Sequence, residues 1–321
     1  MSAGTTTGVR SFTRVSSLTA HELERLLELA EATKHEPARF VDALQGQSIA
    51  CIFEKPSTRT RVSFAAAAAR LGATPIMLSS QELQLGRGES LADTARSLSG
   101  YVSAIVIRTF AQETVEELAR WATVPVVNAL SDTHHPCQAL ADLLTVKEVF
   151  GALPGRRIAF LGNGRDNVAH SLLEAGALAG VDVTIGCPAS YEPDPGILRE
   201  ARRLAEDSDA QLRIAHDPGE AVTLADAVYA DVWASMGEES ERSARAEALG
   251  PFEVTHELMA AAQPHAIFLH CLPAYREQEV EGAVIDGPQS AVWRQSANRM
   301  PTEEALLLML IRDLDRRATA A

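Results

Sequence analysis

No stretch of roughly 18 uncharged apolar residues occurs in the 321-residue chain, so nothing in it reads as a membrane span. Cysteine is scarce and scattered. Cys51, Cys137, Cys187 and Cys271 form no CxxC pair, which argues against a zinc ribbon or a disulfide framework and points to reduced thiols in a cytoplasmic protein. Basic charge is also short: Lys+Arg number 29 against 43 Asp+Glu, a formal charge of −14. That is the wrong sign for a surface that must attract nucleic acid, so an anionic ligand requires a local cluster of arginines. The first fourteen residues lack the apolar stretch of a secretory signal and resemble an organelle transit peptide only in their Ser, Thr and Arg; a frayed N-terminus is the simpler expectation.

What the chain has is length for about two domains and 46% apolar residues, enough to build cores without staples. From Leu18 to Lys34, Leu23, Leu26, Leu27 and Ala30 recur at helical spacing behind Thr19, a capping residue. Runs rich in Ile, Val and Phe then alternate with helical stretches. Strands are expected at Ser48–Phe53, Pro75–Ser79, Ala104–Phe110 and Val124–Ala129, and helices at Ser57–Leu71, Glu89–Gly100, Gln112–Trp121 and Pro136–Phe150. After the Gly and Pro punctuation of Gly151–Gly155 the pattern restarts, with strands at Arg157–Gly162, Asp182–Cys187, Leu212–His216, Ala227–Asp231 and Ala266–Cys271. A helix from about Ala297 carries Leu306, Leu307, Leu310 and Ile311 as its buried stripe. The fold class expected is α/β, two doubly wound parallel-sheet domains joined by interdomain helices: residues 1–150, with 297–321 packing back on them, and residues 151–296. Ligands of such sheets bind beyond the carboxyl ends of the strands, so chemistry is sought in the residues after each strand.

The most informative segment is Phe53-Glu54-Lys55-Pro56-Ser57-Thr58-Arg59-Thr60-Arg61, running from a strand end into a helix start. Helix N-terminal amides, hydroxyls and guanidinium groups gathered there suit a phosphate dianion. Arg59 and Arg61 are two helical positions apart, so one should reach the ligand and the other brace the loop. His135 and Gln138 stand at i and i+3 near another helix start, where partial positive charge can stabilise a developing oxyanion, although an isolated histidine there is more often a cap or surface residue. Adjacent His134 makes no metal pair with it, because neighbouring helical positions diverge. Gly162-Asn163-Gly164-Arg165-Asp166-Asn167 resembles a dinucleotide fingerprint, but Asn167 stands where the third glycine belongs. Asp231 at a strand end is a candidate partner for an ammonium group or an ordinary turn residue, and Cys271 alone reads as a small buried hydrophobe.

STRTR after a strand resembles the carbamoyl-phosphate loop of the aspartate/ornithine carbamoyltransferase family, and further marks follow in order. Arg108-Thr109 follows a strand, His135-Pro136-Cys137-Gln138 is similar to the family's HPxQ, Asp231-Val232-Trp233-Ala234-Ser235-Met236-Gly237 to its ornithine-specific loop, and His270-Cys271-Leu272-Pro273 to its HCLP. The resemblance runs from about Phe12 to the C-terminal helix. It implies transfer of a carbamoyl group from carbamoyl phosphate to the δ-amine of L-ornithine, with no cofactor and no metal. The catalytic set it implies is Arg59, Arg108, His135 and Cys271. Carbamoyl phosphate would be held by Ser57, Thr58, Arg59, Thr60, Arg108, His135, Gln138, Cys271, Leu272 and Arg299, with Gln84 reaching into a neighbouring subunit of a homotrimer. Asn167, Asp231, Ser235 and Met236 would hold ornithine, the stretch from Ser235 to Gly250 acting as a loop-like lid, and Leu272-Pro273 would be cis.

One departure bears on the amine. Relatives commonly read GD with paired asparagines where this chain has Asn163 and Asp166, and an extra carboxylate there would repel the substrate's own. A carbamoyltransferase for putrescine, lysine or an acetylated ornithine is therefore the alternative. A noncatalytic carbamoyl-phosphate binder would not need the intact set Arg59, Arg108, His135 and Gln138, and a nicotinamide-dependent oxidoreductase leaves STRTR unexplained.

Overall fold

The computed structural model describes residues 11–79, 88–233 and 242–320. They fall into two compact units, Met1–Cys137 with Arg299–Ala321, and Gln138–Asn298.

In the first unit α1 (Ala20–His35) opens with a reciprocal Thr19–Glu22 capping box and buries Leu23, Leu26, Leu27 and Ala30. The chain then alternates β1 (Ser48–Phe53), α2 (Thr58–Arg70), β2 (Thr74–Ser79), α3 (Leu91–Ser99), β3 (Ala104–Arg108), α4 (Gln112–Trp121) and β4 (Val126–Leu130) before α5 (Pro136–Phe150). The four strands pair in parallel in the order β2-β1-β3-β4. Near-continuous apolar runs in β1 and β3 follow from burial on both faces. Ala50, Ile52, Ile105 and Ile107 pack there with Ala95 of α3 and Val115 and Leu118 of α4, each large aliphatic side chain stabilising the fold by about 1.5–3 kcal/mol.

The second unit repeats the scheme with β5 (Arg157–Leu161), α6 (Asn167–Ala179), β6 (Asp182–Gly186), α7 (Pro195–Ala205), β7 (Leu212–Ala215), α8 (Pro218–Val222), β8 (Ala227–Ala230), α9 (Arg242–Leu249), α10 (His256–Ala261), β9 (Ile267–His270) and α11 (Gly282–Ile285), after which α12 (Val292–Ala320) starts in this unit and from Arg299 on belongs to the first. Its five parallel strands run β7-β6-β5-β8-β9. In each sheet the winding reverses beside the first strand, between β1 and β3 and between β5 and β8. The crevices beyond those strand ends are the places where doubly wound sheets bind ligands.

Packing divides the chain between Cys137 and Gln138, within α5, whereas Gly151–Gly155 lies inside the second unit. The body of α5 is tied there by Gln295, which donates to Asp142 at 2.7 Å, and by Asn298, which donates to Thr145 at 3.0 Å. Two expectations need correction. The last helix begins at Val292 rather than Ala297, because Val292 and Gln295 bury one face of a first turn that the leucine stripe does not reveal. The segment expected as a loop through Gly250 contains α9 at Arg242–Leu249.

Gly176 lies where α6 meets β6. A Cβ there would stand 2.4 Å from Val183 Cγ2 and 2.8 Å from the Val181 carbonyl. Gly176→Ala is expected to cost about 1–3 kcal/mol of stability through overpacking, despite alanine's better helix propensity. Urea unfolding checks it; an unchanged or raised midpoint would contradict the close approach. No helix among the described residues is long and apolar enough to cross a membrane.

Candidate functional site

In the first unit the chain turns between Phe53 and Thr58 into α2, whose N-cap Ser57 accepts the Thr60 amide at 3.2 Å through its hydroxyl. The turn is tied to the end of β3. The Glu54 amide donates to the Arg108 carbonyl at 2.9 Å, the Thr109 hydroxyl donates to the Glu54 carboxylate, and Lys55 Nζ sits 4.5 Å from the centre of the Phe110 ring. Arg108 ends β3, and its Nη1 donates to Thr60 Oγ1 at 3.4 Å. The two helical arginines point differently: Arg61 lies over the Phe53 ring at 5.2 Å, while Arg59 is exposed and acts electrostatically on His135.

His135 is buried just before α5, in a turn closed by the Ser131 amide donating to the His134 carbonyl at 2.8 Å and the His134 amide donating to Ser131 Oγ at 3.0 Å. Burial holds its imidazole well below the usual histidine range, and the positive charges of Arg299, Arg108 and Arg59 depress it further. The ring is therefore neutral at pH 7. Three guanidinium groups from α12, β3 and α2 act on one neutral imidazole, a concentration of positive charge that selects an anion despite the acidic whole. Arg299 is itself buried, and its Nη2 donates to Glu303 at 2.8 Å.

In the second unit Asn167, buried, opens α6 after β5, Asp231 follows β8, and Cys271 with Leu272 follows β9. The Cys271 thiol donates to Asp231 Oδ1 at 2.9 Å, and the same oxygen accepts the Val232 amide at 2.7 Å. Burial, then the Asp231 carboxylate, pushes that thiol well above its ordinary pKa, with Asp166 and Asp142 adding to the effect. Cys271 is thus a neutral S–H donor rather than a thiolate. Leu272-Pro273 is cis, as the HCLP resemblance implies. Gln138 donates through Nε2 to Asp142 at 2.8 Å, which fixes its amide. The departures in the β5 turn have local explanations. Asp166 caps α6, accepting the Val168 amide at 2.7 Å, and Asn163 Oδ1 accepts the Arg165 amide at 3.1 Å. The expected repulsion is correspondingly reduced, because the Asp166 carboxylate is turned to a helix start where negative charge is favoured.

Gln84, Ser235 and Met236 lie outside the described residues. Asp231, His270 and Cys271 bring one ligand-type atom each within 4.8 Å of one another. Their geometry is committed elsewhere: His270 Nδ1 accepts the Leu272 amide at 2.9 Å, its Nε2 lies 3.2 Å from Glu279, and the thiol serves Asp231. Sequence reasoning overlooked Asp142 and Glu303. A signal existed for Glu303, which stands one turn before Leu307 and two before Leu310 on the stripe read as apolar.

Comparison with known proteins matches this layout on both halves. Residues 10–148 match the family model described as the aspartate/ornithine carbamoyltransferase carbamoyl-P binding domain, and residues 154–310 match the Asp/Orn binding domain. An ornithine carbamoyltransferase of Parafrankia is 50% identical over 94% of this chain and 96% of its own length. One from Methanothermobacter thermautotrophicus is 50% identical over 90% of this chain and 95% of its own. Among solved structures, the ornithine carbamoyltransferase of Pyrococcus furiosus superposes with a TM-score of 0.89 at 46% identity, covering 93% of this chain and 96% of that one. The anabolic enzyme of Campylobacter jejuni gives 0.90 at 35% identity, covering 95% and 100%. With both domain models matched in order and half the residues shared over nearly the whole length, the chain belongs to the aspartate/ornithine carbamoyltransferase family.

Proposed function

We propose that this chain transfers the carbamoyl group of carbamoyl phosphate to the δ-amine of L-ornithine, giving L-citrulline and phosphate. The observation that carries the donor half is the set Arg59, Arg108 and Arg299 around neutral His135 at the switch point of the first sheet. Ornithine as acceptor is supported by relatives named as ornithine carbamoyltransferases at about half identity and by Asp231 beside Cys271 at the switch point of the second sheet.

Ser57, Thr58, Arg59 and Thr60 hold the phosphate, with Arg299 beside them and Gln84 contributed by a neighbouring subunit. Gln138, Leu272 and Cys271 line the carbamoyl group. Asn167, Asp231, Ser235 and Met236 hold the amino-acid end of ornithine. The δ-nitrogen attacks the carbonyl carbon as the neutral amine, the carbonyl oxygen gains charge, the bond from carbon to the bridging oxygen breaks with its electron pair leaving on the phosphate, and the nitrogen's proton passes to that departing phosphate. Arg108 stabilises the oxyanion directly. It also occupies the Thr60 oxygen, so the Thr60 O–H donates onward to the ligand. Neutral His135 adds a donor that carries no charge of its own to repel the incoming nitrogen. Every step is redox-neutral, and positioning with electrostatic stabilisation supplies the rate.

A trimer fits two apolar residues on the face of α2 and the edge strand β2: Val62 is 61% exposed and Ile76 38%. Light scattering should report a multiple of three 34.4-kDa chains. Reduced cysteines fit a cytoplasmic setting.

The deciding assay measures citrulline formation from carbamoyl phosphate with ornithine, putrescine, lysine and N-acetylornithine in parallel. Ornithine should show a kcat/KM at least about tenfold above the others. Since an alkylamine loses its proton near pH ~10, the rate at fixed ornithine should climb with pH across the neutral range. A higher kcat/KM for putrescine or lysine would overturn the acceptor while leaving the donor half standing.

A further inference from the structure

The stripe of α12 that buries Leu306, Leu307, Leu310 and Ile311 includes a carboxylate one turn earlier, at a position where leucine would be expected. Glu303 is 1% exposed and Arg299, one turn before it, 6%. Burying an ionised carboxylate is costly unless it is paired. The partner is Arg299, at 2.8 Å. We propose that Glu303 is a positioning residue of the donor site, anchoring the Arg299 guanidinium in the orientation in which it serves His135 and the bound phosphate. This deepens the function proposed above and rests on it.

The groups facing Glu303 leave it few other roles. From β1 comes Cys51, whose thiol burial pushes up to about 12, and from the residue ending the first unit's share of α5 comes Cys137, pushed up further still; both are neutral. From α2 the Ser63 hydroxyl favours the charged carboxylate. On α12 itself the neighbours are Arg299 and Glu304, the latter engaged with Arg70 at 3.2 Å. Burial outweighs the help of Arg299 and raises the Glu303 carboxyl to about 7. Below that pH the acid is neutral and its grip on Arg299 weakens; above it the ion pair is complete. The KM for carbamoyl phosphate should therefore fall as pH rises through about 7.

Glu303→Leu and Glu303→Gln in the full chain test this, with kcat and both KM values measured from about pH 6 to 9. In the leucine variant the KM for carbamoyl phosphate should rise about tenfold while kcat and the KM for ornithine hold, because binding in the ground and transition states is lost equally. The glutamine variant keeps an acceptor oxygen without the proton equilibrium. It should restore most of the affinity and lose the inflection near 7. Ionisation of the substrate's own phosphate is common to all variants and cancels in the comparison. An unchanged KM for carbamoyl phosphate in Glu303→Leu, a parallel rise in the KM for ornithine, or an inflection that persists in Glu303→Gln overturns the proposal. Should the leucine variant not fold, the glutamine profile decides alone. If the wild type forms no citrulline, the function fails instead, and calorimetric titration of wild type and Glu303→Gln with carbamoyl phosphate across the same pH range still judges Glu303.

Discussion

Arg108→Leu is expected to lower kcat about 100- to 1000-fold, the loss typical of removing one preorganised oxyanion donor. Arg108 ends β3 and donates to Thr60 Oγ1, so the substitution removes a guanidinium and also releases the hydroxyl it orients. It takes away one of the three positive charges that depress His135. A neighbouring cation disfavours the protonated ring, so the His135 pKa should move up toward the ordinary histidine value, and the acid limb of the rate profile should move to higher pH with it. The buried core of β3, Ile105 and Ile107, is untouched, so the folded state should survive. Citrulline assays with an NMR titration of the histidines would measure both effects. A loss of less than about tenfold in kcat, in a folded variant, would remove Arg108 from the chemistry.

Asp231→Asn should raise the KM for ornithine about 10- to 100-fold and leave carbamoyl phosphate affinity near the wild-type value, because a charge partner of the substrate's ammonium group is lost with little change of shape. Cys271 gives an independent readout. Its thiol is held up by burial and then by the Asp231 carboxylate to which it donates. Neutralising that carboxylate lowers the thiol pKa, so alkylation of Cys271 at a fixed alkaline pH should speed up. If alkylation accelerates while ornithine kinetics stay put, Asp231 is a neighbour of the thiol and not a ligand of the substrate.

Much of the architecture was legible in sequence because parallel strands buried on both faces announce themselves as unbroken Ile, Val and Phe runs. Ser48–Phe53, Gln112–Trp121 and Pro136–Phe150 match the observed elements residue for residue. Boundaries slipped where the chain runs on past the end of a strand, as at Thr109 and Phe110 after β3, where the Thr109 amide still donates to the Leu130 carbonyl. The start of α12 was hidden because its first turn is buried through a glutamine: Gln295 accepts the His270 amide at 2.8 Å and donates to Asp142, a partnership no periodicity reveals. Site residues were legible where several polar groups crowd one strand-to-helix turn, as in Ser57–Arg61. The supports behind them were not, since Asp142 and Glu303 each sit on an apolar helix face and act only through side chains distant in sequence. Nor does spacing tell which way Asp166 points; only the formed helix start shows it as a cap.

Among the described residues, the side chains proposed for donor or acceptor emerge beyond the carboxyl ends of parallel strands, or from a helix beside them, while the bulk of each apolar core lies elsewhere along the same strands. The two halves are therefore separable as units of inheritance. A chain that acquires a new acceptor need rework only the connections after β5, β8 and β9, and the arginine cluster of the first unit can pass unchanged from one acceptor chemistry to the next. For an engineer the corresponding task is a graft of a few loop residues, with little stability at risk.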